Sequence, residues 1–155
     1  VIELAGERSD YVPAEEADFK WCAKHDGKHA HVTLTREGMT TRDVVVLLAR
    51  AFSIPADQIG FAGLKDRHAI CTQTFSLPRD LLPADLRAAN SLGAIGARCV
   101  AEGLTLEGEP SWHQCKLRQG QLRGNSFEIV LSETDSLPAE ALAQALLIAN
   151  QLKQS

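Results

Sequence analysis

Residues 61–69 read FAGLKDRHA, and they lead directly into ICTQTFSLP at Ile70–Pro78. A short apolar run breaks at Gly63, polar and charged residues follow at 65–68, and an extended apolar and β-branched pattern then resumes. This pattern predicts a strand, a tight loop and a second strand. A loop held between two buried strands presents a side chain rigidly and accessibly, so Asp66 is the first candidate for a reactive group. An ordinary charged hairpin turn would explain the same pattern.

Composition limits the class of protein. The chain has 155 residues, of which 45% are hydrophobic, and this is enough to bury one core. No run approaches the ~18 apolar residues of a membrane span, and residues 1–7 lack the basic and apolar regions of a signal peptide. The four cysteines have no compact spacing, which favours reduced thiols over disulfides. We therefore expect one cytoplasmic domain with no membrane partner.

Hydrophobic periodicity predicts the elements that precede the central loop. Residues 30–36 alternate in the manner of a half-buried strand, which places His29 and His31 toward solvent, and Gly38 ends this strand. Thr40 and the acid three residues later fit a capping box, and apolar residues at helical spacing then predict a helix over Thr41–Phe52. A short helical turn is expected at 53–57.

The second half of the chain has a less regular pattern. It predicts a helix at 80–90 that Gly93 ends, two strands at 95–106 and 113–117 joined by a turn, and a strand at 126–131. A run rich in Ala and Leu at 139–151 predicts a final helix. Because the elements interleave without a βαβ rhythm, we expect an α+β fold with a mixed, mostly antiparallel sheet and packed helices.

Two motifs resemble those of a known family. GLKDRHA at 63–69, with Thr72 and Gln73, resembles the signature of the TruD family of pseudouridine synthases, and LRQGQLRGNSF at 117–127 resembles its Arg-Gly-Asn-x-Phe element. GMTT at 38–41 is a weaker match, and the likeness runs from about Asp10 to the end of the chain. The resemblance implies the pseudouridine synthase fold, a curved antiparallel sheet with helices against it and a catalytic cleft across its face.

The resemblance also implies roles for individual residues. Asp66 would be the catalytic aspartate, with Lys65 beside it, and Asn125 and Phe127 match the substrate-pocket element. Tyr11 fits the family's N-terminal aromatic position best, although Phe19 competes for it, and Arg8 is the available basic partner at a different offset. Without the resemblance, Asn125 could equally well be a turn residue before a strand, and Phe127 a core residue of that strand.

Pseudouridine formation breaks a C–N glycosidic bond, turns the uracil and rejoins it through carbon. It needs no redox step, so the resemblance implies neither a cofactor nor a metal. One ionised carboxylate near the ribose or the base can serve, and positive charge from Lys65 or Arg67 would favour that ionised form. Attack on C1′, addition to C6 and removal of a ribose proton all remain open. The implied substrate is tRNA, with uridine 13 of the D arm as the usual family target.

The charge distribution bears on RNA binding. A net charge of −4 argues against a nucleic-acid partner, because affinity for phosphate depends on Lys and Arg. However, residues 111–127 contain Lys116, Arg118 and Arg123 and no acidic residue. We call these three residues the basic strip, and we expect them to contact the RNA backbone.

Two alternatives compete with an isomerase. The family's catalytic domain continues beyond the last helix of this chain, so residues 1–155 are expected to be its N-terminal portion, and a non-catalytic remnant would look the same. The other alternative is a zinc-stabilised RNA-binding module without catalysis. Its candidate ligands would be Cys22, His25, His29, His31, Cys99, His113 and Cys115.

Overall fold

The structure is a computed structural model that describes residues 27–121, 125 and 138–152. One compact unit is Val12–Leu122, and a second contains Val1–Tyr11 and Arg123–Ser155. The described part of the first unit contains a sheet and two helices. The described part of the second contains helix α3 (Ala139–Leu152), as predicted. In the described part of the chain, no helix has the length and apolar character to cross a bilayer.

Strand β1 (His29–Glu37) lies at the centre of the sheet. It pairs along its whole length with β3 (Ile70–Pro78), and β2 (Gly60–Phe61) pairs with the other side of β3. All of the described strand pairs are antiparallel. The strand, loop and strand predicted around Asp66 are therefore confirmed, although the first of these strands is only two residues long.

The remaining edge of β1 is shared by two short strands. β4 (Thr105–Leu106) pairs near the C-terminal end of β1, and β5 (Ser111–His113) pairs near its N-terminal end. We predicted strands at 95–106 and 113–117, and that prediction was wrong, because residues 95–101 are helical and only Thr105–Leu106 and Ser111–His113 form strands. The intervening turn sequence does connect two strands, but both pair with β1.

Helix α1 (Thr41–Phe52) has the predicted bounds because both of its ends carry strong signals. The Thr40 hydroxyl accepts a hydrogen bond from the Asp43 amide, and the Asp43 carboxylate accepts one from the Thr40 amide. At the other end, Ser53 adopts a left-handed conformation and its amide bonds back to the last turn. The preceding Gly38 has a positive φ of 70°, which ends β1 as predicted.

Our prediction of a helix at 80–90 was wrong, and a helix that we did not predict follows it. Residues 79–81 and 84–86 form single 3₁₀ turns, because Pro83 keeps the residue before it extended and lacks an amide donor. Helix α2 (Leu92–Ala101) then includes Gly93, which we expected to end a helix. Gly96 lies where an added Cβ would meet the Leu106 side chain, so its small size serves packing against β4.

One hydrophobic cluster forms the core between the sheet and the two helices. Burial of one large apolar side chain contributes about 1.5–3 kcal/mol, so this cluster fixes the relative positions of strands and helices. Its main members come from β1, α1, β3 and α2, and they are Val32, Leu34, Val44, Leu48, Phe52, Phe75, Leu77, Ile95 and Cys99.

The other face of β1 is covered at His31, which corrects our expectation that its histidines face solvent. His31 is only 6% exposed, and its ring stacks on that of His113 with centroids 3.9 Å apart. The His31 Nε2 donates a hydrogen bond to the Cys115 carbonyl at 3.0 Å. His29 is half-buried. The segment after β5 thus covers His31, whereas Thr33 and Thr35 on the same face are partly exposed.

The same segment passes close to β2. An added Cβ at Gly60 would collide with the carbonyl oxygen of Leu117 and the hydroxyl of Ser76. Those two residues are themselves joined, because the Leu117 amide donates to the Ser76 hydroxyl at 2.9 Å. Gly60 is therefore required for close approach of two backbone segments.

Gly60→Ala should lower the free energy of unfolding by about 1–3 kcal/mol, because overpacking shifts the backbone around it. The matched control is Gly93→Ala, at an exposed helical position with open space around the new methyl group, which should raise stability by about 0.5–1 kcal/mol. Urea unfolding of both variants measures these changes. A Gly60→Ala variant as stable as the wild type would contradict the close approach at Gly60.

The buried histidines predict loss of stability in acid. Burial, followed by the neighbouring His113, lowers the pKa of His31 from 6.5 to about 3. Below pH 6.5 the unfolded chain gains a proton that folded His31 does not, so stability falls by about 1.4 kcal/mol per pH unit until pH nears 3. His31→Gln keeps a donor for the Cys115 carbonyl and should reduce the loss between pH 7 and pH 5 by about 2 kcal/mol. An unchanged pH dependence in urea unfolding would contradict this assignment.

Candidate active site at the Asp66 loop

The Asp66 side chain lies on the exposed loop between β2 and β3. Asp66, Arg67 and His68 are exposed, whereas Lys65 is half-buried. The loop thus offers a carboxylate to solvent within a group of basic side chains. This is the presentation that the sequence predicted for a reactive group.

The backbone on both sides of Asp66 is held by side chains of the sheet unit. Before it, the Gly63 carbonyl accepts a hydrogen bond from Gln73 Nε2, and the Lys65 amide donates one to Thr41 Oγ1 at 2.9 Å. At Asp66 itself, the carbonyl accepts from the Cys71 thiol at 3.3 Å. The loop is therefore anchored at three backbone positions, Gly63, Lys65 and Asp66.

Two of the anchoring side chains, Thr41 and Gln73, form a buried set with Arg36 that we call the polar cluster. Arg36 Nη2 donates to Thr41 Oγ1 at 3.1 Å, and the Thr41 hydroxyl donates to Gln73 Oε1 at 3.0 Å. Their side chains are 3%, 1% and 7% exposed. In the register of the sheet, Leu34 pairs with Gln73 and Arg36 pairs with Cys71. Arg36 and Gln73 thus face the same side of the sheet as the core residue Leu34, at the end of the core that is nearest the loop.

Arg36 brings a buried positive charge to this end of the sheet. Besides Thr41, it donates to the Cys71 carbonyl at 3.4 Å, and its Nε has no hydrogen-bond partner among the described residues. Burial lowers the pKa of Arg36, and nearby Cys71 and Asp43 partly oppose that change. Burial likewise lowers the pKa of Lys65, with Arg36 acting in the same direction and Cys71 against it. The loop therefore lies next to the buried positive charge of Arg36 and includes the half-buried positive charge of Lys65.

The second half of the loop contacts the turn after β1. Arg67 Nε donates to the Gly38 carbonyl at 3.2 Å. A shallow groove beside this contact has a volume of about 340 Å³. It is lined by Glu37, Gly38, Arg67, His68, Ala69 and Ile70. The groove adjoins the loop and leaves an exposed apolar side chain, Ile70, next to the basic residues.

Of the predicted substrate-binding residues, only Lys65 lies in the described part of the same unit as Asp66. Asn125 is exposed and belongs to the second unit. Phe127, Tyr11 and Arg123 lie outside the described residues, as does the strand predicted at 126–131. Their predicted roles stay predictions.

Two members of the basic strip lie close to the start of the loop. Lys116 is half-buried and its Nζ donates to the Asp57 carbonyl at 2.7 Å, whereas Arg118 is exposed. The segment that carries these two residues is held there because the Gly120 amide donates to the Ala62 carbonyl at 3.0 Å. A connection between this segment and the loop did not follow from the sequence.

The proposed zinc ligands do not form a metal site in the part of the chain that the structure describes. No group of three or more His, Cys, Asp or Glu side chains there could hold an ion. His31 and His113 do meet, but by ring stacking. Cys99 lies in the apolar core, where burial raises the pKa of its thiol to about 12. Cys22 and His25 lie outside the described residues.

Arg36 was not predicted to be a site residue, and Thr41 and Gln73 were noted only as members of the motifs at 38–41 and 63–73. One signal was present, because Arg36 follows Ala30, Val32 and Leu34 at the same strand spacing and so interrupts an apolar row. A charged residue at a core position requires a partner or a function.

Comparison with known proteins identifies the family. The family profile described as tRNA pseudouridine synthase D (TruD) matches residues 3–155. The chain is 36% identical over 141 residues to tRNA pseudouridine synthase D of Anaeromyxobacter sp. (strain Fw109-5), covering 90% of this chain and 35% of that protein. Identity is 38% over 138 residues to the protein of that name from Thermus thermophilus, covering 85% and 36%. For Psychrobacter arcticus it is 34% over 132 residues, covering 84% and 31%.

The chain spans about a third of the length of these curated relatives. The profile match, in contrast, covers nearly all of this chain, and the relatives agree with it in name. The chain therefore belongs to the TruD family of tRNA pseudouridine synthases.

Proposed function

We propose that this chain carries the catalytic aspartate of a pseudouridine synthase that isomerises uridine in tRNA, with Asp66 as nucleophile or base. The observation that carries the proposal is the exposed Asp66 on a loop whose backbone is anchored on both sides by buried side chains. Catalysis requires a carboxylate held in a fixed position and open to substrate. Membership of the family supplies the reaction class.

The surrounding residues fit the needs of this chemistry. The charged groups of Lys65 and Arg67 lie next to Asp66 in the sequence, and the buried guanidinium of Arg36 lies beneath the loop. Positive charge in this region favours an ionised carboxylate and attracts the phosphates of an RNA backbone. No step of the reaction requires an oxidant or reductant, so we propose that protein side chains suffice.

We propose that RNA crosses the loop and the basic strip together. Hydrogen bonding of Gly120 to Ala62 supports this proposal, because it holds the segment of Lys116 and Arg118 next to the start of the loop, and Arg118 is exposed. Asn125, Phe127 and Tyr11 are proposed to receive the extruded uracil by hydrogen bonding and stacking. The proposed target is uridine 13 of tRNA, modified in the cytoplasm.

We propose that the chain is the N-terminal portion of a catalytic domain with the pseudouridine synthase fold, and that further residues close the pocket. Two observations support this. The matched region is about a third of the length of the curated relatives, and α3 exposes the apolar side chains of Leu146, Leu147 and Ile148. A detached uracil must be enclosed while it turns, which requires a second wall opposite Asp66.

A single-turnover assay of residues 1–155 alone should therefore give no pseudouridine. Efficient turnover by these residues alone would refute the proposal that further residues close the pocket.

Asp66→Asn should abolish pseudouridine formation by the protein at its natural length, because an amide of the same shape can act neither as nucleophile nor as base. The measurement is the amount of pseudouridine in digested tRNA after incubation with excess enzyme. Asp85→Asn, at another exposed position of the same unit, is the matched control and should retain activity. Activity of Asp66→Asn within about tenfold of the wild type would remove Asp66 from the mechanism.

Replacement of Lys116, Arg118 and Arg123 with Ala should weaken tRNA binding. It should also reduce the slope of log K against log salt by roughly one unit per lost phosphate contact. Binding titrations at several salt concentrations give that slope. Arg50→Ala, at an exposed site in the last turn of α1, is the control and should leave it unchanged. An unaltered slope in the triple variant would place the RNA elsewhere.

A further inference from the structure

We propose that the polar cluster of Arg36, Thr41 and Gln73 is a positioning device for the reaction, which fixes the loop so that Asp66 is in place before RNA binds. This inference rests on the proposed catalytic role of Asp66. It adds three residues that are buried and do not themselves reach substrate.

The directions of the hydrogen bonds in the polar cluster are determined by its chemistry. The Gly63 carbonyl can only accept, so the Gln73 amide must turn its Nε2 toward it and its Oε1 toward Thr41. The Thr41 hydroxyl must then donate its one hydrogen to Gln73. Its oxygen is left to accept from the Arg36 guanidinium and the Lys65 amide. No alternative arrangement satisfies all of these groups.

The Thr41 hydroxyl is therefore fully used, with one bond donated and two accepted. It is buried, so water cannot readily replace it. Loss of the hydroxyl would leave the Lys65 amide and one Arg36 donor unpaired, at a cost of about 1–3 kcal/mol for a buried polar group. The loop would avoid this cost by moving its backbone toward solvent, and Asp66 would move with it.

Arg36 strengthens the hydrogen bonds of the polar cluster, but burial of its charge is unfavourable in free energy. A charged donor gives a stronger hydrogen bond than a neutral one. However, in the described part of the chain no carboxylate forms a hydrogen bond or ion pair with Arg36, and the guanidinium lies beside the N-terminal end of α1, where the helix dipole is also positive. Burial of such a charge does not favour folding. Its presence beneath the loop is explained by a role in setting the loop conformation.

The kinetic consequence differs from that of a binding residue. A shift of about 1 Å in a reacting group lowers a rate by about 100-fold even when the mutated residue is remote from the chemistry. RNA affinity should be little affected, because substitution of buried Thr41 or Gln73 removes neither a charge nor an exposed basic side chain. A positioning role therefore predicts a fall in the rate of the chemical step at nearly constant affinity.

The test compares Thr41→Val, which replaces the hydroxyl with a methyl group, with Thr41→Ser, which retains it. Single-turnover rates are measured with saturating natural-length enzyme, and tRNA dissociation constants by titration. We expect the rate of Thr41→Val to fall about 100-fold with its dissociation constant within about threefold of wild type. Thr41→Ser should restore the rate to within about threefold.

Gln73→Met and Thr74→Val provide a second pair that does not depend on the folding of Thr41→Val. Gln73→Met removes both hydrogen bonds of the amide. Thr74→Val removes only a bond to the Thr33 hydroxyl at the next position of the same strand. We expect the single-turnover rate to fall in Gln73→Met and to stay at the wild-type value in Thr74→Val. Wild-type rates in both Thr41→Val and Gln73→Met, or losses of affinity as large as the losses of rate, would overturn the proposal.

Asp66→Asn in the same assay separates this inference from the proposed function. If Asp66→Asn is inactive while Thr41→Val and Gln73→Met react at the wild-type rate, only the positioning role is refuted. If Asp66→Asn remains active, the catalytic role of Asp66 fails, and the positioning role fails with it.

Discussion

The hydroxyl group of Thr41 is the point on which the geometry of the loop depends. It lies at the first residue of α1, and it joins Arg36 at the end of β1, Gln73 within β3 and the Lys65 amide of the loop. One oxygen atom thereby relates a helix, two strands and a loop. The apolar core fixes α1 against the sheet, and the capping box fixes where α1 begins. The position of Asp66 thus follows from the packing of the core through a short chain of hydrogen bonds.

Elements with strong local signals were predicted well from the sequence. Alternation predicted β1, an extended apolar and β-branched pattern predicted β3, and a capping box with apolar residues at helical spacing gave the bounds of α1. Helix α2 was missed because Gly93 and Gly96 are poor helix formers, and its stability comes from the burial of Ile95 and Cys99. Tertiary packing of this kind has no signal in local propensity.

The candidate site likewise has one part that could be predicted from the sequence and one part that could not. The exposed loop that carries Asp66 could be predicted because the pattern is contiguous in sequence. The polar cluster could not, because its members are separated by up to 37 positions and meet only through the register of β1 with β3 and the docking of α1. The burial of His31 was missed for a related reason. It depends on the segment after β5, which lies over a face that alternation alone assigns to solvent.

The central claim is that the polar cluster holds the loop in one conformation in the absence of RNA. Amide hydrogen exchange at Lys65 tests it most directly, because this amide donates to the Thr41 hydroxyl. The account predicts that in the RNA-free protein the Lys65 amide exchanges about as slowly as the amides of β3, and that Thr41→Val accelerates Lys65 far more than Phe75. Rapid exchange of the Lys65 amide in the wild-type protein would contradict the account.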